Sequence, residues 1–365
     1  MQENIKESSV DRIYKDSKNI YNNLNTSKNK WFMLAIILLN VCITAVAWVV
    51  YGNKFGVVSF ETLFKSYEWK NLYLILAIII VILLLKTFAD YIFVSVKYKK
   101  RRYGLFLNVN SKRDFYECVS IGDRIKNSAC IARLSSSGLD NTISVEGVYR
   151  KNLINKLSRI LYFSVVVVLT ACVLFKEISF WLFLPLILAI LVDCIVVAFV
   201  IYFNKNSSKI LLLISKLCKV LYNLKLVKNY EKLYNEISDK LTIYNIYLKS
   251  KRLTIVLDVL ANALVMFLRH FILFVILGSI NIVNGELLFQ VIVRSCVLDY
   301  VIGILPLPKG LFSYEILFLA LFSGLFFDGY VLWGMLMYRL FDFYIYGMIF
   351  IISKLFDFQK RRVGD

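Results

Sequence analysis

The sequence predicts an all-α, polytopic integral membrane protein with about eight transmembrane helices. Hydrophobic residues make up 59% of the 365 residues, mean hydropathy is +0.66, and only 19% of residues are charged. An ordinary globular protein has about 45–50% hydrophobic residues. A water-soluble chain of the present composition could not cover its apolar side chains with polar surface. These figures exclude a soluble globular protein.

Eight apolar runs are long enough to cross a bilayer, which takes about 17–25 helical residues. They lie at 31–51, 71–96, 158–175, 180–203, 253–280, 286–304, 311–327 and 329–353. The sixth run carries Arg294 and Asp299 and ends in a proline-rich break. The chain therefore divides into a polar tail at 1–30, a transmembrane domain at 31–353 and a basic tail at 354–365.

The positive charge of the chain follows the predicted loops. The formal net charge is +19, from 44 basic and 25 acidic residues. The loops on the side of the two termini contain twenty-eight Lys or Arg residues, whereas the loops on the opposite side contain four. Basic loops stay in the cytoplasm, so the pattern predicts a multi-pass protein of the bacterial cytoplasmic (inner) membrane with both termini cytoplasmic. Because topology explains the charge, nucleic acid is not an expected partner.

Two segments are neither simple loops nor clear spans. Residues 114–157 mix apolar residues with charged ones that include Asp123, Arg124, Lys126, Arg133, Asp140 and Glu146. This mixture predicts a re-entrant or interfacial helical segment shielded by its neighbours. In the basic segment 204–252, residues 207–228 place apolar and polar side chains on opposite helical faces. This pattern predicts an amphipathic helix on the cytoplasmic leaflet. The alternative is a cytoplasmic helix packed on the protein's own bundle.

No metal, redox or cofactor site is predicted. The seven cysteines include no Cys-x-x-Cys pair, and most lie inside apolar runs, which is typical of small buried hydrophobic residues. The chain has one histidine and no recognisable nucleophile–base pair or metal-ligand cluster.

Ionisable residues inside predicted spans are candidate functional residues, because a charge in the bilayer interior is costly. They are Lys86, Asp90, Asp193, Asp258, Arg269, His270, Arg294, Asp299, Glu315, Arg339 and Asp342. Lys86 and Asp90 are four residues apart, so we expect them to pair on one helical face. His270 is either a structural residue or a proton shuttle, although the sequence shows no clear carboxylate partner for it.

The last two predicted spans place two opposite charges at the same depth. Glu315 lies twelve residues before Phe327, and Arg339 lies twelve residues after it. At about 1.5 Å per residue, both are about 18 Å from the connecting turn, so an ion pair is expected. The same reasoning places Arg269 and Arg294 at comparable depth without a carboxylate. Two unpaired arginines predict an anion, and a lipid phosphate is the obvious one.

A helix break precedes Glu315. Pro306 and Pro308 block a helix and Gly310 permits unusual dihedral angles, so irregular backbone is expected at membrane depth. Such backbone usually lines a cavity, and broken helices commonly mark transport sites. Lys309 adds a positive charge to the N-terminus of the next helix, which favours an anion. The alternative is a short loop at the cytoplasmic surface.

The same residues resemble a known family. The pattern is Pro306-x-Pro308-x-Gly310-x-x-x-x-Glu315, followed by Tyr338-Arg339-Leu340 and Tyr344. It resembles the C-terminal signature of the lysylphosphatidylglycerol synthase transmembrane (flippase-like) family, which includes the membrane half of the multiple peptide resistance factor. Lys309 and Phe312 stand where that signature has glycines. The likeness extends to the span layout and the long basic segment, and so over residues 31–353.

The resemblance implies a lipid translocase that moves an anionic or aminoacylated phospholipid, such as lysyl-phosphatidylglycerol, between leaflets. The expected substrate-binding residues are Arg269, Arg294, Asp299, Lys309, Gly310, Glu315 and Arg339. In that family a separate cytoplasmic domain performs the aminoacyl transfer. Only about a dozen residues follow the last span here, so transport is favoured over enzymatic activity, and no cofactor is expected.

Two alternatives to transport stay open. The first is a lysyltransferase-related synthase or transferase that acts on phospholipid or polyprenyl-linked sugar. The second is a non-catalytic accessory subunit in cell-envelope synthesis. The expected partner is membrane phospholipid, and a separate lipid-modifying enzyme and a second copy of the chain are further candidates.

Overall fold

The computed structural model describes residues 2–24, 26–99, 103–120, 123–174, 179–248, 250–279, 285–305, 313–326 and 329–363. These residues are almost entirely helical and contain no strand. The helices are α1 Gln2–Leu24, α2 Ser27–Phe55, α3 Phe60–Ser66, α4 Lys70–Tyr98, α5 Tyr103–Val119, α6 Asp123–Ser136, α7 Asn141–Leu174, α8 Phe183–Lys205, α9 Ser207–Asn223, α10 Tyr230–Leu248, α11 Arg252–Gly278, α12 Gly285–Ile304, α13 Ser313–Phe322, α14 Val331–Arg339 and α15 Ile345–Val363.

Seven helices in the described part of the chain are long and apolar enough to cross a membrane. The spans are Asn29–Phe55, Lys70–Tyr98, Asn141–Val173, Phe180–Phe203, Arg252–Gly278, Leu287–Ile304 and Val331–Lys354. In six of the seven, no more than 33% of the most apolar stretch is buried inside the protein. The large apolar surface that remains suits lipid rather than water. The predicted class, an all-α multi-pass membrane protein, is confirmed.

Within the described residues 313–326, the predicted eighth span at 311–327 contains only a short helix. Helix α13 has ten residues and is followed by a 3₁₀ turn at Ser323–Leu325. Ten residues rise about 15 Å, which is half of a hydrocarbon core of about 30 Å. The final span is also irregular, because a π-helical turn, Leu340–Tyr344, separates α14 from α15.

One end of the bundle is fixed by backbone hydrogen bonds between α2 and α14. Val58 N donates to the Gly329 carbonyl (3.2 Å), and Gly329 N donates to the Phe55 carbonyl (2.9 Å). Gly329 has φ +84°, and a Cβ there would lie 2.8 Å from the Val58 side chain. Only glycine tolerates both conditions. The contact sets the position of α14 along α2, and with it the position of Arg339.

The opposite end, here called the α1 end, is formed by α1, α6, α9, α10 and the adjoining ends of the spans. Helix α1 is held to α10 by Arg12, whose Nη2 and Nε donate to Asp239 at 2.7 and 3.2 Å. The hydrogen bond to Asp239 raises the pKa of Arg12 despite partial burial. Helix α1 is therefore attached to the bundle.

The structure divides the predicted segment 114–157 among three helices. It comprises the end of α5, all of α6 and the first half of α7. Helix α7 has 34 residues, so it extends well beyond the span predicted at 158–175. Its first half is polar because it packs against α1, α6 and α10 rather than against lipid. This half contains Arg150 and Lys151, which the functional site depends on.

The amphipathic segment forms α9, with its apolar residues divided between two sides. Ile210, Ile214 and Cys218 are buried in the core at the α1 end. Leu213 and Leu217 are half exposed, at 50% and 55%. One side therefore packs on the bundle, as in the alternative interpretation, and the other leaves the apolar surface that an interfacial helix needs.

Candidate functional site

A charged cavity lies inside the bundle between α4, α5, α7 and α11. Its volume is about 120 Å³, enough for several water molecules. Its lining includes five basic and four acidic side chains: Lys86, Arg113, Arg150, Lys151 and Arg269, with Asp90, Asp114, Glu117 and Asp258. Charges in membrane-spanning helices face the protein interior because lipid cannot solvate them. We call this feature the charged cavity.

Arg150 joins three spans at one side of the charged cavity. From α7, its guanidinium donates to Asp90 of α4 (2.7 Å) and to Asp258 of α11. The Tyr247 hydroxyl donates a second hydrogen bond to Asp258 (3.0 Å). The guanidinium also lies 4.0 Å from the centroid of the Phe93 ring, a cation–π contact. Arg150 is 1% exposed, so these partners must replace its hydration.

Asp90 accepts hydrogen bonds from two further residues. Lys151 Nζ donates to it, and the Asn110 amide donates at 2.7 Å. Lys151 also donates to Asn110 Oδ1 at 2.9 Å. Helix α5 is thereby connected to the ion pairs of α4 and α7. The prediction that Lys86 pairs with Asp90 is wrong, since basic residues of α7 hold this carboxylate.

Lys86 pairs with Asp114 of α5 instead. Its Nζ lies 2.7 and 2.9 Å from the two carboxylate oxygens. Arg269 Nη2 of α11 lies 3.9 Å from the same carboxylate. Burial disfavours the charged carboxylate, but Lys86 and Arg269 outweigh burial and lower the pKa of Asp114. The prediction that Arg269 has no carboxylate partner is therefore also wrong.

Arg113 differs from the other four basic residues of the charged cavity. It is 6% exposed, yet no carboxylate in the described chain forms an ion pair with it. Lys86, Arg150, Lys151 and Arg269 each lie within 4.0 Å of an acidic partner. An uncompensated buried guanidinium is costly, and an anion relieves that cost. Arg113 therefore adds to the charged cavity a positive charge that has no ion-pair partner among the described residues.

A second cavity, here called the vestibule, lies at the α1 end. Its volume is about 1110 Å³, and residues of α1, α6, α7 and α10 line most of it. Glu117 and Asn155 line both the vestibule and the charged cavity. The two spaces are therefore neighbours with shared walls.

The predicted ion pair between Glu315 and Arg339 is confirmed. Arg339 Nε lies 3.5 Å from Glu315 Oε1, and both residues are buried. Thr44 of α2 donates to the same oxygen at 3.3 Å. The Arg339 guanidinium lies 4.2 Å from the Tyr314 ring centroid. As predicted, the two charges lie together because they are equally far from the connecting turn. The π-helical turn begins directly after Arg339.

Arg294 makes a structural contact within the protein. Its Nη1 donates to the carbonyl of Leu321, in the last turn of α13. The last carbonyls of a helix lack intrahelical partners, and a cation satisfies them well. Pro306, Pro308, Lys309 and Gly310 lie outside the described residues. The predicted cluster of Arg269 and Arg294 with these residues therefore stays a prediction.

His270 does have a carboxylate partner, contrary to the sequence interpretation. Its Nε2 lies 3.0 Å from Asp299 Oδ2, and its Nδ1 lies 3.0 Å from the Tyr162 hydroxyl. Cys296 Sγ lies 3.5 Å from the same Nδ1. Asp299, a predicted substrate residue, thus lies in a hydrogen-bonded chain with the single histidine.

Compared with known proteins, the chain matches no family model, no curated sequence and no solved structure. Throughout the described ranges, no group of three or more His, Cys, Asp or Glu side chains is placed to hold a metal ion. The site is therefore interpreted from its own geometry.

The Arg150 contacts predict a large stability effect for Asp258→Asn. The substitution keeps the shape of the side chain but removes half of the charge that compensates Arg150. Loss of one partner of a buried ion pair costs about 3–5 kcal/mol. Because Arg150 keeps its contact to Asp90, we expect the free energy of unfolding to fall by about 3 kcal/mol. The free energy of unfolding in detergent measures it.

Glu61→Gln is the matched control for Asp258→Asn. Glu61 forms an exposed pair with Lys65 (2.6 Å), and such pairs contribute about 0–1 kcal/mol. An equal loss in the two variants would show that Arg150 does not hold the bundle together.

Proposed function

We propose that the protein is a flippase-like lipid translocase of the bacterial cytoplasmic membrane, which moves an anionic or aminoacylated phospholipid between leaflets. The main support is the buried guanidinium of Arg113 in the charged cavity. Arginine is suited to phosphate because its planar guanidinium donates two parallel hydrogen bonds to phosphate oxygens. In this proposal, the headgroup phosphate supplies the anion that Arg113 lacks.

The mixed charge of the cavity fits a headgroup that carries both signs. Four carboxylates line the space together with the five basic residues. An amine on the headgroup, as in lysyl-phosphatidylglycerol, would find an acidic partner close to the phosphate position. Glu117 is the carboxylate that the vestibule and charged cavity share, so we assign it the first contact with such an amine.

The direction of loading follows from the distribution of basic loops. The α1 end carries the N-terminal tail and the basic segment 204–252, which the positive-inside rule assigns to the cytoplasm. The vestibule then opens to the cytoplasm, and the headgroup enters from the inner leaflet. The acyl chains stay in lipid, since the small charged cavity has no room for them.

The pair of Glu315 and Arg339 forms a second polar site in the proposed path. Glu315 Oε2 and the Tyr314 hydroxyl are buried without a hydrogen-bond partner in the described chain. Buried polar atoms of this kind are available to a ligand. The resemblance of Glu315 and the Tyr338-Arg339-Leu340 run to the flippase-like signature supports the same assignment.

Arg113→Gln is the direct test of the proposal. Purified protein in liposomes is given fluorescent phosphatidylglycerol, and lipid in each leaflet is measured by chemical quenching from outside. Loss of a charge-assisted bond of about 1.5–3 kcal/mol predicts a decrease of about tenfold or more in the translocation rate. Arg113→Lys should retain part of the rate, because lysine keeps the charge but not the two-pronged geometry.

Arg252→Gln is the control for Arg113→Gln. It removes the same type of charge from an exposed position at the start of α11, and it should leave the rate unchanged. If Arg113→Gln matched the wild-type rate, the assigned role of Arg113 would be wrong. If wild-type liposomes were no faster than protein-free ones, translocation itself would be wrong.

Glu315→Gln tests the second polar site. The variant leaves the Arg339 guanidinium buried without its carboxylate, so outer-leaflet lipid should fall in a leaflet-resolved assay on cells. The amount of protein in the membrane is measured in parallel and should stay near the wild-type level. Unchanged lipid asymmetry at normal expression would contradict the role assigned to Glu315.

A further inference from the structure

A hydrogen-bonded chain of three residues connects α7, α11 and α12. His270 lies between the Tyr162 hydroxyl and the Asp299 carboxylate, with both distances at 3.0 Å. The imidazole is 3% exposed, whereas the Asp299 side chain is 44% exposed. The chain is therefore buried at its tyrosine end and open at its carboxylate end.

The open end faces the same side of α12 as the vestibule. Gly303 lies four residues after Asp299, and residues four apart share a helical face. Gly303 lines the vestibule, at the α1 end of the bundle. Asp299 is one helical turn from Gly303 and 44% exposed, so it is the member of the chain that can receive a proton from water and pass it to His270.

The groups around the pair come from every neighbouring element. Tyr162 of α7 and Cys296 of α12 contact the imidazole directly. Asp299 interacts electrostatically with Tyr162, with Tyr314 of α13 and with Tyr338 of α14. Asp342 of the π-helical turn also interacts electrostatically with Tyr314 and Tyr338. Arg269 precedes His270 on α11, and its guanidinium lies in the charged cavity. Asp299 is the carboxylate in hydrogen-bond contact with the imidazole.

The pair can bind one proton at little electrostatic cost. With a neutral imidazole, Nε2–H donates to the Asp299 carboxylate, Nδ1 accepts from the Tyr162 hydroxyl, and the pair has one negative charge. After one proton is taken up from water at the exposed Asp299 carboxylate, both imidazole nitrogens donate and the pair is neutral overall. An apolar bundle favours the neutral pair. The Tyr162 hydroxyl then changes from donor to acceptor, which alters the contact between α7 and α11.

We propose that the His270–Asp299 pair is a proton-binding site that couples lipid movement to the proton gradient. The coupling rests on the proposed transport function, whereas the proton site itself does not. Helix α11 connects the two sites, because Arg269 and His270 are adjacent residues with side chains in the charged cavity and in the proton site. A change in the contact between α7 and α11 therefore affects both the charged cavity and the proton site.

Nuclear magnetic resonance of the imidazole tests the proton site. The chain has one histidine, so ¹⁵N-histidine labelling of the protein in lipid nanodiscs reports His270 alone. We expect a reversible gain of one proton between about pH 5 and pH 9. Asp299→Asn should move that step by about one pH unit or more, because it removes the facing charge.

Two further variants complete the titration. Asp11→Asn removes an exposed carboxylate of α1 and should leave the step where it is. Tyr162→Phe removes the other hydrogen-bond partner and should also move it, which covers the case that Asp299→Asn fails to fold. An imidazole that keeps one protonation state over the whole range, or that titrates identically in these variants, would overturn the proton site.

Translocation under an imposed pH gradient tests the coupling. Wild-type liposomes loaded with fluorescent phosphatidylglycerol should change their rate when the gradient is imposed, and Asp299→Asn should abolish that response. Asp11→Asn should respond like the wild type. A wild-type rate indifferent to the gradient would overturn the coupling. A complete absence of wild-type translocation would overturn the transport function, while the imidazole titration would still decide the proton site.

Discussion

The double ion pair of Arg150 brings three membrane spans to one buried cation. A single guanidinium from α7 pairs with Asp90 of α4 and Asp258 of α11, and Lys151 supplies a second positive charge to Asp90. None of these charges could be left alone in lipid, because the desolvation cost of each requires a partner. Their mutual compensation keeps the three helices close together and leaves a polar space beside them. The charged cavity is the consequence of that constraint.

Charge compensation also gives the remaining polar residues their roles. Lys86, Lys151 and Arg269 are each held by a carboxylate, whereas no carboxylate among the described residues forms an ion pair with Arg113. In the proposed function, Arg113 is therefore the basic residue of the charged cavity that binds an anion. The Glu315–Arg339 pair and the His270–Asp299 pair extend the polar interior beyond this cavity. A lipid headgroup and a proton are the two ligands that we propose for these sites.

The sequence predicts the fold class and one ion pair, but not the main site. Apolar run lengths identify seven spans, and equal distances from a turn pair Glu315 with Arg339. The same run lengths fail at 311–327, because composition does not show that the helix ends after ten residues. Arg113, Asp114, Arg150 and Lys151 were not among the candidates, since the candidates were ionisable residues inside the predicted spans and these four lie outside those spans. The signal that could have identified these residues is the density of charges within otherwise apolar helices. Pairing between helices far apart in sequence, such as Lys86 with Asp114, depends on tertiary packing that local spacing does not encode.

In the proposed function, the guanidinium of Arg113 binds the phosphate of a membrane lipid. Native mass spectrometry of protein extracted from its membrane measures this most directly, because bound lipid is released and identified by mass. The wild type should carry about one phospholipid per chain, and Arg113→Gln should lose it while Arg252→Gln retains it. Equal lipid content in Arg113→Gln and the wild type, or a wild-type protein free of phospholipid, would contradict the claim.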